Sequence, residues 1–320
     1  MAQVLRTVAP AADSDRLIVG PSGFDDAGAV RSASGKIRLY STDFFPPVVD
    51  DPAAYGAIAA ANALSDIWAM GGEPDVVLNL AGFPEEWEEP TLSPIFAAAA
   101  KKVQEAGALW VGGHTVRSQE PLFGFAVFGE VEENQLMTNQ GARPGDLLYL
   151  TKPLGTGSIT TSVSRGEASD AVVEEAQRGM AHLNKNAAHA ARQVGVKAGT
   201  DITGFGLLGH AANLASASGV RLLLRALSLP FYEGAAELAA AGVFSGGSSR
   251  GRISLEGRVQ VASSVPEWVA GIGFDAETSG GLLLAIPPEQ QEAFLKALPE
   301  GEVATWVGEV EEGESLVALG

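Results

Sequence analysis

The chain contains no cysteine, which excludes disulfides and thiolate metal sites. Basic residues are scarce: 21 Lys and Arg stand against 39 Asp and Glu, a net charge of −18 at pH 7. A surface this acidic repels a phosphate backbone, so no nucleic-acid partner is expected. Any polyphosphate ligand would need divalent cations between its charge and the carboxylates. No apolar run approaches the roughly 18 residues of a membrane span, so no membrane association is expected. The stretch 1–10 lacks a basic region followed by an apolar one, which predicts a cytoplasmic protein. A G-x-x-x-x-G-K-[ST] motif is also missing, which argues against a P-loop enzyme.

The residues present are enough for two domains: 320 residues, 46% of them hydrophobic, exceed the usual size of one core. Strands are predicted at 17–19, 37–41, 76–80, 109–111 and 123–131. A helix is predicted from Asp50 or Asp51, as cap, through Pro52 to Met70, stopped by Gly71-Gly72. A second helix is predicted over 94–106. After a turn at 139–145 the alternation resumes, with strands at 147–151, 221–224, 281–286 and near Trp306, helical sequence from Gly155 to Val194, and a helix over 205–217. The reading is an α/β (mixed α+β) protein with an N-terminal domain over 1–140 and a C-terminal α/β domain over 141–320.

Carboxylates carry the chemistry. Asp25 and Asp26 sit in the loop Gly20-Pro-Ser-Gly-Phe-Asp-Asp-Ala-Gly28, and Asp43 follows a strand. Each, taken alone, reads more readily as a turn residue. Asp66 is different. It lies inside a helix among Ala, Ile, Leu, Trp and Met, where a charge is costly unless paired or bound to metal. Asn62 precedes it by one helical turn and shares its face. Asp201 repeats the theme in the second half, in Thr200-Asp-Ile-Thr-Gly204. Carboxylates at such positions fit Mg²⁺ shared with substrate phosphates.

Other motifs are weaker. The loop Gly112-Gly113-His114-Thr115 could bring backbone amides to a phosphate, or be a tight turn. Gly204-Phe-Gly206-Leu-Leu-Gly209 matches G-x-G-x-x-G, but reads as a helix-start turn rather than a dinucleotide fingerprint. His182 and His189 share a helix face with no further ligand nearby, which suggests surface or packing roles. Lys152 reads as solvated, and the aromatic residues as core.

Together these stretches resemble the signature of selenophosphate synthetases. The resemblance rests on Asp25-Asp26-Ala, Ser41-Thr-Asp-Phe-Phe-Pro-Pro-Val-Val-Asp-Asp-Pro52, and Ile58-Ala-Ala-Ala-Asn-Ala-Leu-Ser-Asp-Ile-Trp-Ala-Met-Gly-Gly72. Thr151-Lys-Pro-Leu-Gly155, the run from Thr200 to His210, and Glu277-Thr-Ser-Gly-Gly-Leu-Leu-Leu-Ala285 extend it. The wider superfamily holds aminoimidazole ribonucleotide synthetase, thiamine-monophosphate kinase and a hydrogenase maturation protein. The resemblance implies a homodimer converting ATP, selenide and water into selenophosphate, AMP and phosphate, and the apolar residues on both faces of 123–128 point to the N-terminal sheet as its interface. It implies Mg²⁺ on Asp26, Asp66 and Asp201. It implies an ATP site at Gly23, Phe24, Asp25, Asp43 and Asp66, supported by Asn62, with Gly113, His114 and Thr115 reaching in from the partner subunit.

The family also carries a Gly-rich N-terminal segment with a reactive Cys or selenocysteine followed by Lys. The stretch Met1-Ala-Gln-Val-Leu-Arg-Thr7 resembles the residues just after that segment, so the expectation is a chain that binds Mg-ATP and is impaired in turnover. Two rival readings are a related small-molecule kinase or ATP-dependent cyclase, and a non-catalytic nucleotide-binding dimer.

Overall fold

The computed structural model describes residues 15–21, 24–163 and 165–320. Gly23 and the segment 1–14 lie outside the described residues. The chain is a mixed α+β protein with two sheets, one in each half.

The first sheet contains β1 (Leu17–Val19), β2 (Gly28–Arg31), β3 (Ile37–Phe45), β4 (Glu73–Phe83), β5 (Leu109–Arg117) and β6 (Leu122–Val131). Their order is β1-β2-β3-β6-β4-β5. All neighbours are antiparallel except β4 and β5, which run parallel. Helix α1 (Pro52–Ala69) joins β3 to β4, and α2 (Glu89–Ala106) crosses from β4 to β5, as a parallel pair requires.

Helix α1 begins where the sequence predicts. The Asp51 carboxylate accepts from the amides of Ala53 and Ala54 at 3.3 and 3.0 Å. Every residue from Ile58 to Met70 is buried. One flank packs on β3 and β6, another on α2, and a third on the C-terminal half, which is why the helix is apolar nearly all round. Its close approach to α2 needs Gly56, since a Cβ there would come 2.0 Å from the Ile95 carbonyl oxygen. Burying Trp68, Ile58, Leu64 and Ile67 contributes about 1.5–3 kcal/mol each.

The second half opens with β7 (Leu147–Leu150), α3 (Thr156–Val163), α4 (Asp170–Ala181), α5 (Lys185–Gln193) and β8 (Ala198–Asp201). It continues through α6 (Gly206–Ser218), β9 (Arg221–Leu224), α7 (Ala235–Ala240), α8 (Gly246–Ser254), β10 (Val259–Val261) and α9 (Glu267–Phe274). It closes with β11 (Leu282–Ile286), α10 (Gln291–Ala297), β12 (Thr305–Glu311) and β13 (Leu316–Leu319). The sheet order is β10-β13-β9-β12-β7-β11-β8. Strand β8 and helix α4 lie against α1, so α1 is the seam between the halves. Among the described residues, no helix is long and apolar enough to cross a membrane.

Several local expectations are corrected. Thr42–Phe45, read as loop, extends β3, because Phe44 and Phe45 pair with Gly124 and Phe123 of β6. Gly112–Thr115, also read as loop, continues β5 along β4. Gly113 is needed there because a Cβ would sit 2.0 Å from Asn79 Oδ1. The stretch 155–194 is three helices rather than one. His182 therefore falls after α4, beside Glu302, while His189 on α5 meets Glu73, and the two share no face. Lys152 is buried, not solvated, and Phe24, Phe44 and Phe205 are exposed rather than core.

Candidate active site

Four carboxylates from four different elements meet around the seam. Ser41 and Asp43 alternate with Thr42 on β3, so both side chains face α1. Asn62 donates from Nδ2 to Asp43 Oδ2 at 2.6 Å, and the Ser41 hydroxyl donates to Asp66 Oδ2. Asp26, on the loop before β2, accepts from Thr200 Oγ1 of β8 at 2.8 Å. Asp201 ends β8, and its Oδ2 is buried with no hydrogen-bond partner. Asp25 is held from the linker, where the Asn139 amide donates to its Oδ1 at 2.7 Å, and its charge adds to the repulsion on Asp26.

Electrostatics tie these groups together. Burial, then the charge of Asp201, pushes the Asp26 carboxyl well above the usual range. Burial does the same for Asp66, reinforced by Asp201, Asp43 and Asp26. Burial raises Asp201 to about 6, opposed by a hydrogen bond from Ser65 and by Lys152. Asp43 is raised by burial and held back by Asn62. Like charges in a desolvated site repel one another; a divalent cation would reverse the sign of that interaction.

The residues fit a hard cation. Among the described residues, no group of three or more His, Asp and Glu is gathered closely enough to hold a metal ion by itself. Mg²⁺ does not require one, since it keeps several waters and shares few carboxylates with substrate phosphates. The unpartnered Asp201 Oδ2 and the mutual repulsion of Asp26, Asp66 and Asp201 are what such an ion would relieve.

Some contributors escape a reading of the sequence. Ser279 donates its amide to Asn62 Oδ1 at 3.0 Å, which fixes the Asn62 amide so that its nitrogen faces Asp43. Lys152 Nζ donates to the carbonyls of Ser279 and His182 at 2.8 and 2.6 Å, and burial lowers its pKa to about 7. Asn184 holds Ser65 Oγ and the Gly280 carbonyl at 2.8 and 2.9 Å. Among the described residues the non-glycine positions with positive φ are Phe24 (53°) and Ser279 (50°), and both border this group. Such backbone strain concentrates at functional sites. No local pattern marks Ser279 or Asn184, because the Asn62 and Ser65 side chains they hold lie in the other half of the chain.

Gly113, His114 and Thr115 are not brought to this group within one chain. Asp43, Phe125, Asn79 and Gly113 form one row across β3, β6, β4 and β5, so three strand spacings, about 14 Å, separate Asp43 from Gly113. All three residues lie exposed on the edge strand.

Comparison with known proteins agrees with this architecture. Residues 24–131 match the family described as AIR synthase related protein, N-terminal domain, and residues 143–319 match its C-terminal domain. A selenide, water dikinase from Nitratidesulfovibrio vulgaris is 44% identical over 299 residues, 92% of this chain and 85% of that protein. One from Myxococcus xanthus is 44% identical over 300 residues, 93% of this chain and 85% of that protein. Among solved structures, thiamine monophosphate kinase from Aquifex aeolicus shares the fold, with a TM-score of 0.69 and 21% identity, over 92% of this chain and 90% of that one. The hydrogenase maturation protein HypE in complex with ATP also shares it, with a TM-score of 0.66 and 18% identity, over 99% of this chain and 86% of that one. With nearly its whole length aligned to relatives of that identity, and both halves matched to the two domains of one family, the chain belongs to the selenide, water dikinase family of AIR synthase related, kinase-type enzymes.

Proposed function

We propose that this chain makes selenophosphate from ATP, selenide and water, releasing AMP and phosphate. Two phosphoanhydride bonds break; one phosphoryl group forms a phosphorus–selenium bond and the other leaves on the oxygen of water. The observation that carries the reading is the set Asp26, Asp43, Asp66 and Asp201, the last two buried and the first two half-buried, drawn from both halves and mutually repelling as it stands. Asp26, Asp66 and Asp201 would hold Mg²⁺. When bound, the ion neutralises triphosphate charge and aligns the reacting phosphorus.

The protein's own residues do the positioning. Gly23, Phe24, Asp25 and Asp43 would line the nucleotide, with Asn62 fixing Asp43. Exposed Phe24 offers an apolar face beside the carboxylates. The α1 seam keeps water from Asp66 and Asp201, which strengthens each charge interaction there. Gly113, His114 and Thr115 of a second copy would complete the site. That copy has a natural seat: α1 and α2 cover only one face of the first sheet. The other face shows Tyr40 and Phe44 of β3, 40% and 50% exposed, in line with Ala126 and Phe128 of β6 and with Leu78 and Leu80 of β4. An apolar sheet face of this kind needs a cover. Light scattering should find a dimer at micromolar concentration, and a Phe44→Lys variant should dissociate; a monomeric parent rejects the dimer.

Phosphorus NMR of the chain with ATP, Mg²⁺ and selenide tests the activity. Selenophosphate with stoichiometric AMP is the expected result. ADP as the only nucleotide product, with no phosphorus–selenium signal, would favour a small-molecule kinase instead.

A further inference from the structure

His210 lies on α6, 7% exposed, with no place in the reaction proposed above. Its surroundings determine which ring nitrogen carries the proton. The backbone amide of Thr203 points at Nε2 from 3.1 Å. An amide can only donate, so Nε2 must accept and carries no hydrogen. The Thr203 hydroxyl lies 3.2 Å from the same nitrogen and can donate there as well. Burial holds the ring neutral, with its pKa lowered to about 4. The single proton is then on Nδ1, which faces Thr200 Oγ1 at 3.3 Å.

This direction propagates. A hydroxyl that accepts from Nδ1–H has one hydrogen left to give. Two acceptors compete for it: Asp26 Oδ1 at 2.8 Å and the Asp201 carbonyl at 3.2 Å. The carboxyl oxygen is nearer by 0.4 Å, so it takes the hydrogen. Asp26 belongs to the N-terminal half, whereas Thr200, Thr203 and His210 belong to the C-terminal half. The relay therefore fastens a carboxylate of one half to a strand of the other.

We propose that His210 is a positioning residue: through its Nδ1–H and the Thr200 hydroxyl it orients Asp26 for cation binding. This rests on the reading of Asp26 as a Mg²⁺ ligand. Groups that orient metal ligands typically change affinity by about ten- to a hundredfold when removed.

The test uses the full chain and Mg²⁺ alone, titrated by calorimetry without nucleotide. His210→Gln keeps an acceptor near the Nε2 position and loses the Nδ1 donor; Mg²⁺ affinity should fall about tenfold or more. His210→Asn returns an N–H near the Nδ1 position and should recover most of that loss, which a merely space-filling role would not produce. Thr200→Val removes the hydroxyl at nearly constant shape and should match the Gln variant, with no further loss in the double variant. In the unaltered chain, nitrogen-15 NMR should show His210 protonated at Nδ1 and bare at Nε2. A proton on Nε2, or unchanged Mg²⁺ affinity in Thr200→Val, overturns the inference. Absence of selenophosphate from the unaltered chain would instead count against the proposed function, while the tautomer and the Mg²⁺ affinities still decide the relay.

Discussion

The molecule buries two groups of carboxylates and treats them in opposite ways. Glu277 accepts from the amides of Gly155 and Thr156 at 2.7 and 3.0 Å, and from Thr156 Oγ1 at 2.5 Å. Nearby, Asp275 accepts from the Ser245 amide at 3.1 Å and from its hydroxyl at 2.5 Å. These acids cap the start of α3 and the turn before α8. Asp66 and Asp201 are as deeply buried and Asp26 is half-buried, yet the three receive few donors, repel one another, and leave Asp201 Oδ2 without any. Burial alone therefore does not mark a functional acid. The mark is burial without enough donors, which stores a demand for a cation.

The sharpest way to break this contrast is to neutralise one member of each group. Asp66→Asn should weaken Mg-ATP binding by about 3 kcal/mol, over a hundredfold, while the metal-free chain keeps or gains stability because a repelling charge is gone. Calorimetry with unchanged Mg-ATP affinity would remove Asp66 from the site. Glu277→Ala should do the reverse: about 2 kcal/mol of unfolding free energy lost through stranded buried amides, with the smaller change in Mg²⁺ affinity. Denaturant titration reads it.

The pH dependence separates the groups more gently. Asp26, Asp66 and Asp201 have folded pKa values above their ordinary one of 3.8, Asp201 at about 6. The folded chain then holds more protons than the unfolded chain in that interval, so their contribution to stability is present below pH 4 and is lost as pH rises toward 6. Thermal melts of the metal-free chain should show this loss between pH 4 and 6, and Mg²⁺ should reduce it. A melting profile indifferent to Mg²⁺ would count against a shared cation. The smallest effect concerns Ser279. Replacing this left-handed residue by Gly relieves backbone strain and keeps the amide that holds Asn62, so stability should rise by at most about 1 kcal/mol.

Much of the molecule is legible in local chemistry. The cap at Asp51, the stop at Gly71 and the oddity of Asp66 in an apolar helix all follow from residues within a turn or two. Thr42–Phe45 and Gly112–Thr115 mislead a local reading for a shared reason. Gly, Pro and Asp report turn propensity, but strand continuation depends on a neighbour distant in sequence, here β6 and β4. Lys152 misleads likewise: nothing in Thr151-Lys-Pro says that two carbonyls, one at His182 and one at Ser279, wait to receive its ammonium.

The amino-acid sequence by itself determined the family, the alternation of strands and helices, and the acidic residue types that suit Mg²⁺ and phosphate. Those are matters of residue identity and spacing within a few turns of chain. Only the tertiary structure decided that Asp26 and Thr200, far apart in sequence, share a hydrogen bond, that Ser279 orients Asn62, and that His210 carries its proton on Nδ1. Each depends on which donor faces which acceptor once α1 is clamped between the two halves, and hydrogen-bond direction is a property of that packing rather than of any local stretch.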